Sequence, residues 1–158
     1  MQEDPKYVDA WGYLLQLQSK VVARIEEDLK RQGEISLTWY DVLLTLDNSP
    51  GKRLRMSEIA DRTISTRSAI TRTIDRLVAR EWVYRVRSTD DQRGYYAELT
   101  DLGASVLREI APGHVAAVRA NLIDLLTESE MAALRDIGEK VRAQLGGRGA
   151  GSTAVGSS

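Results

Sequence analysis

Thr66-Arg67-Ser68-Ala69-Ile70-Thr71-Arg72-Thr73-Ile74-Asp75-Arg76-Leu77-Val78-Ala79-Arg80 decides how this 158-residue chain is read. Ile70, Ile74, Leu77 and Val78 recur at helical spacing and form an inward stripe, with Thr66, or Ser65, placed as the N-cap. The opposite face carries Arg67, Ser68, Thr71, Arg72 and Asp75. Short hydroxyl side chains let a helix approach a surface closely, and the planar guanidinium fork suits phosphate oxygens and guanine edges.

The charge around this stretch agrees with that reading. Residues 52–93 hold eleven Lys/Arg and six Asp/Glu, a local net charge of +5, whereas the whole chain carries -1. Ten of the eleven basic residues are arginines, Lys52 being the exception. A near-neutral chain of 42% hydrophobic and 28% charged residues is neither a polybasic tail nor an acidic disordered segment, so any affinity for nucleic acid must be local. Taken alone, the same charge would also suit a merely solvated helix face.

Working outward, Met56–Arg62 fits a short helix ahead of a hydroxyl-rich break at residues 63–65. Trp39, Val42, Leu43 and Leu46 mark another, for which Thr38 and Asp41 offer a capping-box-like start and Asn48-Ser49-Pro50-Gly51 a stop. Two β-rich runs, Trp82–Arg87 and Tyr95–Leu99, flank the polar stretch 88–94 and read as a hairpin with a long exposed tip. On the N-terminal side, Val8, Trp11, Leu15, Val22, Ile25 and Leu29, joined by Leu14, Leu17 and Val21, describe a long amphipathic helix ending near Gly33. On the C-terminal side, Thr100 opens a helix that Pro112-Gly113 is expected to kink or interrupt. Thr127-Glu128-Ser129-Glu130 is a capping box for a last helix with Met131, Leu134, Ile137, Val141 and Leu145 on one face.

Two short helices, a tight break, an Arg- and Ser/Thr-faced helix and a basic hairpin stand in the order of a winged helix-turn-helix. The expected fold class is mainly α with a small β-hairpin wing, flanked by N- and C-terminal helices. Four regions follow: residues 1–34 as an N-terminal helix, 35–100 as the winged domain, 101–145 as C-terminal helices, and 146–158 as a disordered tail, since GGRGAGSTAVGSS has no apolar periodicity.

Three segments then resemble the MarR-type winged-helix transcriptional regulators. Leu54-Arg55-Met56-Ser57-Glu58-Ile59-Ala60-Asp61-Arg62 is similar to the first helix of that family's reading motif, and Ser68 to Leu77 to its recognition helix, with the Thr-Arg and Asp-Arg-Leu runs in place. Val83-Tyr84-Arg85, Asp91-Gln92-Arg93-Gly94 and Leu99-Thr100-Asp101-Leu102-Gly103 resemble its wing and the start of the helix beyond. The resemblance implies sequence-specific binding of double-stranded DNA by Arg67, Ser68, Thr71, Arg72 and Arg76, with Arg93 entering the minor groove and Asp91 supporting it. It further implies that residues 1–34 and 101–145 are the dimerisation helices of a homodimer on a pseudo-palindromic operator, and that repression is relieved by a small, often aromatic or phenolic, ligand. Trp11, Tyr13, Trp39 and Tyr40 are the aromatic candidates for that ligand's pocket, with plain core packing as the other reading. Two departures stand out. Glu81 occupies the place of a usual helix-ending glycine, so either the helix ends differently or a non-glycine residue bears strained backbone; Thr63 replaces a larger aliphatic.

Other functions find little support in the residues. The chain has no cysteine, which removes disulfides, thiolate metal sites, cysteine nucleophiles and the peroxide-sensing branch of the resembled family. His114 is its single histidine, and adjacent acidic pairs such as Glu26-Glu27 do not face one another on a helix, so no enzyme, cofactor or metal site is expected. An acidic, polar N-terminus and the lack of a long apolar run predict neither signal peptide nor membrane span, hence a cytoplasmic protein. The competing reading is a winged-helix module for non-specific nucleic-acid binding or for protein contact.

Overall fold

The computed structural model describes residues 5–33, 35–63, 65–88 and 94–144. The expected tail at 146–158 and the hairpin tip therefore lie outside the described residues. Six α-helices are described: α1 (Pro5–Gly33), α2 (Leu37–Asp47), α3 (Met56–Arg62), α4 (Arg67–Ala79), α5 (Asp101–Asn121) and α6 (Glu128–Gln144). With them come three strands, β1 (Arg53–Arg55), β2 (Val83–Arg87) and β3 (Tyr95–Leu99), and short 3-10 turns at Pro50–Lys52 and Ile123–Leu125.

The three strands form one antiparallel sheet in the order β1-β3-β2. Strand β1 was not foreseen. Arg53-Leu54-Arg55 is too short to show alternation, and its conformation comes from pairing with β3, where Leu54 stands opposite Ala97. Val83 faces Leu99 and Arg85 faces Ala97 on the other side of β3, so the sheet's helix-facing surface is apolar at its root.

Leu43, Leu46, Ile59, Ile70, Ile74, Leu77, Val42 and Val83 are the largest fully buried side chains, and they join α2, α3, α4 and the sheet into one core. A second, smaller cluster of Ile25, Leu29 and Ala117, flanked by Val21, Leu37 and Val118, fastens the C-terminal half of α1 to α5. The Asn121 amide donates to the Asp28 carboxylate at 2.8 Å across the same contact.

Local signals set most boundaries, with two corrections. Helix α2 is capped by Ser36, whose Oγ accepts the Trp39 amide at 3.3 Å, and not by Thr38, which lies inside the first turn. The extended backbone an N-cap needs occurs at Ser36 (φ -76°, ψ 153°). Nor does Pro112 interrupt its helix: α5 runs unbroken through it. Proline removes the donor to the Arg108 carbonyl, but the ring is exposed while Leu107 and Ala117 are buried on either side, so packing holds the helix together. At Thr127 the capping box forms, the Thr127 amide donating to Glu130 Oε2 at 2.8 Å and the Glu130 amide to Thr127 Oγ1 at 3.3 Å.

Part of the apolar surface finds no partner among the described residues. Val8, Trp11, Leu14, Leu15 and Leu17 are exposed on the N-terminal half of α1, and α6 has no buried residue, leaving Ile137 and Val141 exposed.

Candidate nucleic-acid interface

Helices α3 and α4 are joined by the break at residues 63–66, where Thr63 closes α3 by donating its hydroxyl to the Ile59 carbonyl at 2.8 Å. Thr66 then opens α4, its Oγ1 accepting the Ala69 amide at 3.3 Å. Ile70, Thr73, Ile74 and Leu77 point into the core, so the helical repeat turns Arg67, Ser68, Thr71, Arg72, Asp75 and Arg76 to solvent. Both isoleucines are inward, as the spacing predicts.

The exposed groups remain accessible. Arg67 reaches Asp61 of α3 only at 3.9 Å, with the two side chains 77% and 56% exposed, a solvent-screened contact that holds the guanidinium weakly. Arg72 donates from Nε to the Ser68 carbonyl at 3.4 Å and forms no ion pair among the described residues. The Thr71 hydroxyl donates back to the Arg67 carbonyl at 3.1 Å. Arg76 is exposed beside them.

The wing leaves the same corner. Helix α4 ends in a left-handed turn at Glu81 (φ 62°), with the Glu81 amide donating to Val78 O at 2.9 Å and the Trp82 amide to Leu77 O at 3.0 Å. This is the glycine-type helix stop built on a glutamate, so the helix does not end differently and the non-glycine residue takes up the unfavourable backbone. Strands β2 and β3 close at the Ser88 amide to Gly94 carbonyl bond of 2.9 Å. Asp91 and Arg93, expected at the tip, lie outside the described residues.

Sequence reasoning missed three features here. Arg85 of β2 reaches Asp75 of α4 at 2.8 Å. On the sheet's outer face, Arg53 and Arg55 stand 5.3 and 5.4 Å from the Tyr96 ring centre, cation–π contacts that depend on the unforeseen β1. Just past the end of α4, the exposed Arg80 lies over Trp39 at 5.0 Å and Trp82 at 5.3 Å, the two indoles meeting edge to face. None of these pairs is close in sequence except Arg80 and Trp82.

The four aromatic pocket candidates do not come together. Trp11 and Tyr13 are exposed on α1, whereas Tyr40 is buried and Trp39 is packed against the core. The Tyr40 ring lies 4.0 Å from that of His114, whose Nδ1 is buried without a hydrogen-bond partner among the described residues. Burial lowers the His114 pKa and raises that of Tyr40. An open cavity of about 380 Å³ does exist where α1, α4 and α5 meet, but Leu29, Ile35, Arg80, Trp82, Val106, Glu109, Ile110 and Gly113 line it. Packing explains the difference: α2 is wedged between sheet and α5, so its aromatics serve as core, while the α1 aromatics lie on the half of that helix that no other element covers.

Among the described residues, no cluster of His, Asp or Glu could hold a metal ion and no helix is long and apolar enough to cross a membrane.

A sequence model of the MarR family matches residues 34–94. The chain is 34% identical over 98 residues to the transcriptional repressor MprA of Escherichia coli (strain K12), covering 62% of this chain and 55% of that protein; it thus spans about half the length of that relative. With the HTH-type transcriptional repressor MdtR of Bacillus subtilis (strain 168) it shares 32% identity over 112 residues, 71% of this chain and 70% of the other. The structure is similar to that of Sco3205, a MarR family transcriptional regulator from Streptomyces coelicolor solved in complex with DNA, at a TM-score of 0.84 and 33% identity over 93% of this chain and 92% of that one. With helix-turn-helix, wing and flanking helices all in place, this chain belongs to the MarR family of winged-helix regulators.

Proposed function

We propose that the protein is a sequence-specific double-stranded DNA-binding transcriptional regulator, acting as a repressor in the cytoplasm. The observation that carries this is the two-sided character of α4: Ile70 and Ile74 are buried to 1% and 0% exposure while Arg67, Ser68, Thr71 and Arg72 all face solvent. A helix so anchored offers its N-terminal half to the major groove, where hydroxyls and guanidiniums meet phosphates and base edges. Arg76 adds a phosphate contact one turn further on. Arg93, supported by Asp91, enters the adjacent minor groove from the wing tip. DNA in the solved complex of the similar Sco3205 supports this reading.

The unit that reads DNA is a homodimer. The exposed stripe of Trp11, Leu14 and Leu15 on α1 and that of Ile137 and Val141 on α6 are covered by the same surfaces of a second copy. Two-fold symmetry sets the two reading helices about 10 base pairs apart, so the operator is a pseudo-palindrome. A small aromatic carboxylate relieves repression, and the cavity between α1, α4 and α5, with Arg80 and Trp82 in its wall, has a cation and an indole to receive one.

Selection of bound duplexes from a random pool by the purified protein tests the reading. The expected product is a two-fold symmetric motif bound at least ~10³-fold more tightly than random duplex. Equal affinity and equal salt dependence on both would replace the regulator with a non-specific packaging module.

A further inference from the structure

Asp75 is out of place on a face that meets a polyanion. It follows Ser68 by seven residues and Arg72 by three, which puts its carboxylate on the outward side of α4, 55% exposed. Left alone, that charge would repel phosphates. Its neighbour is Arg85, whose Nη1 lies 2.8 Å from Asp75 Oδ1.

The position of Arg85 in the wing matters equally. Along β2 only Val83 is buried, and residues 84–87 are exposed. On β2, core packing therefore holds Val83 alone, while on the neighbouring strand Ala97, opposite Arg85, is buried in the same core. Strand alternation places Arg85 on the same side as Val83, opposite buried Ala97, so its side chain leaves the hairpin toward α4. At 35% exposure the Arg85 side chain is partly shielded from solvent, so its pair with Asp75 is screened less than one between fully exposed side chains. Along β2 the pair adds a hold two residues, roughly 7 Å, beyond Val83 and ties the strand directly to α4.

We infer that Asp75 and Arg85 are positioning residues for DNA reading: their ion pair fixes the angle between wing and reading helix, so that major-groove and minor-groove contacts are made together, and it cancels a carboxylate on the DNA-facing side. This rests on the DNA-reading function proposed above. It separates two effects that simple electrostatics would join. Removing the Asp75 charge alone makes the domain more basic, which favours any duplex; releasing the wing penalises the operator alone.

The test is a double-mutant cycle on the full chain with Asp75→Asn, Arg85→Gln and the pair combined, using the tightest duplex recovered by selection and a random duplex of equal length. Each single variant is expected to lose about fivefold in operator affinity, the scale of a partly shielded ion pair, with the double variant no worse than either. Random-duplex affinity is expected to stay level or rise for Asp75→Asn. Arg85→Lys, which keeps the charge, restores most of the loss, and urea midpoints of all variants show that equal folded fractions are compared. Hydroxyl-radical footprints of the singles lose wing protection in the minor groove and keep that of the half-sites. Additive losses in the double variant, or an equal gain on operator and random duplex for Asp75→Asn, would overturn the inference while leaving the DNA-reading function standing. A wild-type protein that prefers no duplex would remove both.

Discussion

The Thr100 hydroxyl donates to the Glu81 carbonyl at 2.8 Å, tying the cap that opens one helix to the left-handed turn that ends another. Thr100 is the N-cap of α5, its Oγ1 also accepting the Gly103 amide at 2.9 Å, while its own amide donates to Trp82 O at 3.0 Å. Helix α4, the wing and helix α5 thus meet at one hydrogen-bonded corner. A Cβ on Gly103 would stand 2.2 Å from Trp82 O and 2.9 Å from Leu99 Cδ1, which is why the Leu-Thr-x-x-Gly run requires a glycine there.

Glu81→Gly is expected to stabilise the fold by about 1 kcal/mol, because φ 62° costs an L-residue roughly that much and the exposed glutamate side chain gives up no packing. A higher urea midpoint at unchanged slope is the readout. An unchanged or lower midpoint would mean that the corner supports the glutamate in a way its backbone angles do not reveal.

Arg72→Ala is expected to weaken operator binding by about 1–3 kcal/mol and to relax the preferred sequence at one position per half-site. Titration of selected and random duplexes checks this. A loss of the same size on both assigns Arg72 to a phosphate.

Acid should loosen the protein through His114. Its folded pKa lies below the ordinary 6.5 because burial against Tyr40 penalises the charged ring, so the unfolded chain binds the proton more readily. The stability associated with the neutral ring is complete above that ordinary value and declines as pH falls from it toward the lowered folded value. His114→Leu should flatten the drop in melting temperature between about pH 7 and 5. A variant whose drop matches that of the wild type would place the acid sensitivity elsewhere.

Leu15→Glu and Ile137→Glu each put a charge on an apolar stripe that the single chain leaves uncovered. Either is expected to halve the apparent mass on size exclusion while helical content persists. Operator affinity should fall by about 10²-fold or more, since two linked half-site contacts become one. A variant that still elutes as a dimer would move the interface off that stripe.

Much of this architecture was legible because it rests on local chemistry. Helix α3 was placed to the residue, and α4 nearly so, since Thr66 caps a strict isoleucine repeat and Glu81 stops it. The outward arginines followed from the same repeat, because a helix that buries Ile70 and Ile74 must expose Arg67 and Arg72. Less legible were features whose cause is distant in the chain: β1 exists through its pairing with β3, and Pro112 stays helical because Leu107 and Ala117 are held. Nor could spacing tell that Trp11 and Tyr13 lie apart from Trp39 and Tyr40, since it says which side chains share a helix face but not which element, if any, covers it.

By itself, then, the order of residues determined the helices and the hairpin strands, the caps at Thr66, Thr100 and Thr127, and the two faces of α4, all of which depend on neighbours within about one helical turn or one hairpin. Only the tertiary structure decided that Arg85 pairs with Asp75, that Arg80 lies over two tryptophans, and that the N-terminal half of α1 leaves its apolar side chains exposed. These are matters of which surfaces meet, and a side chain's partner is set by where the core brings its backbone.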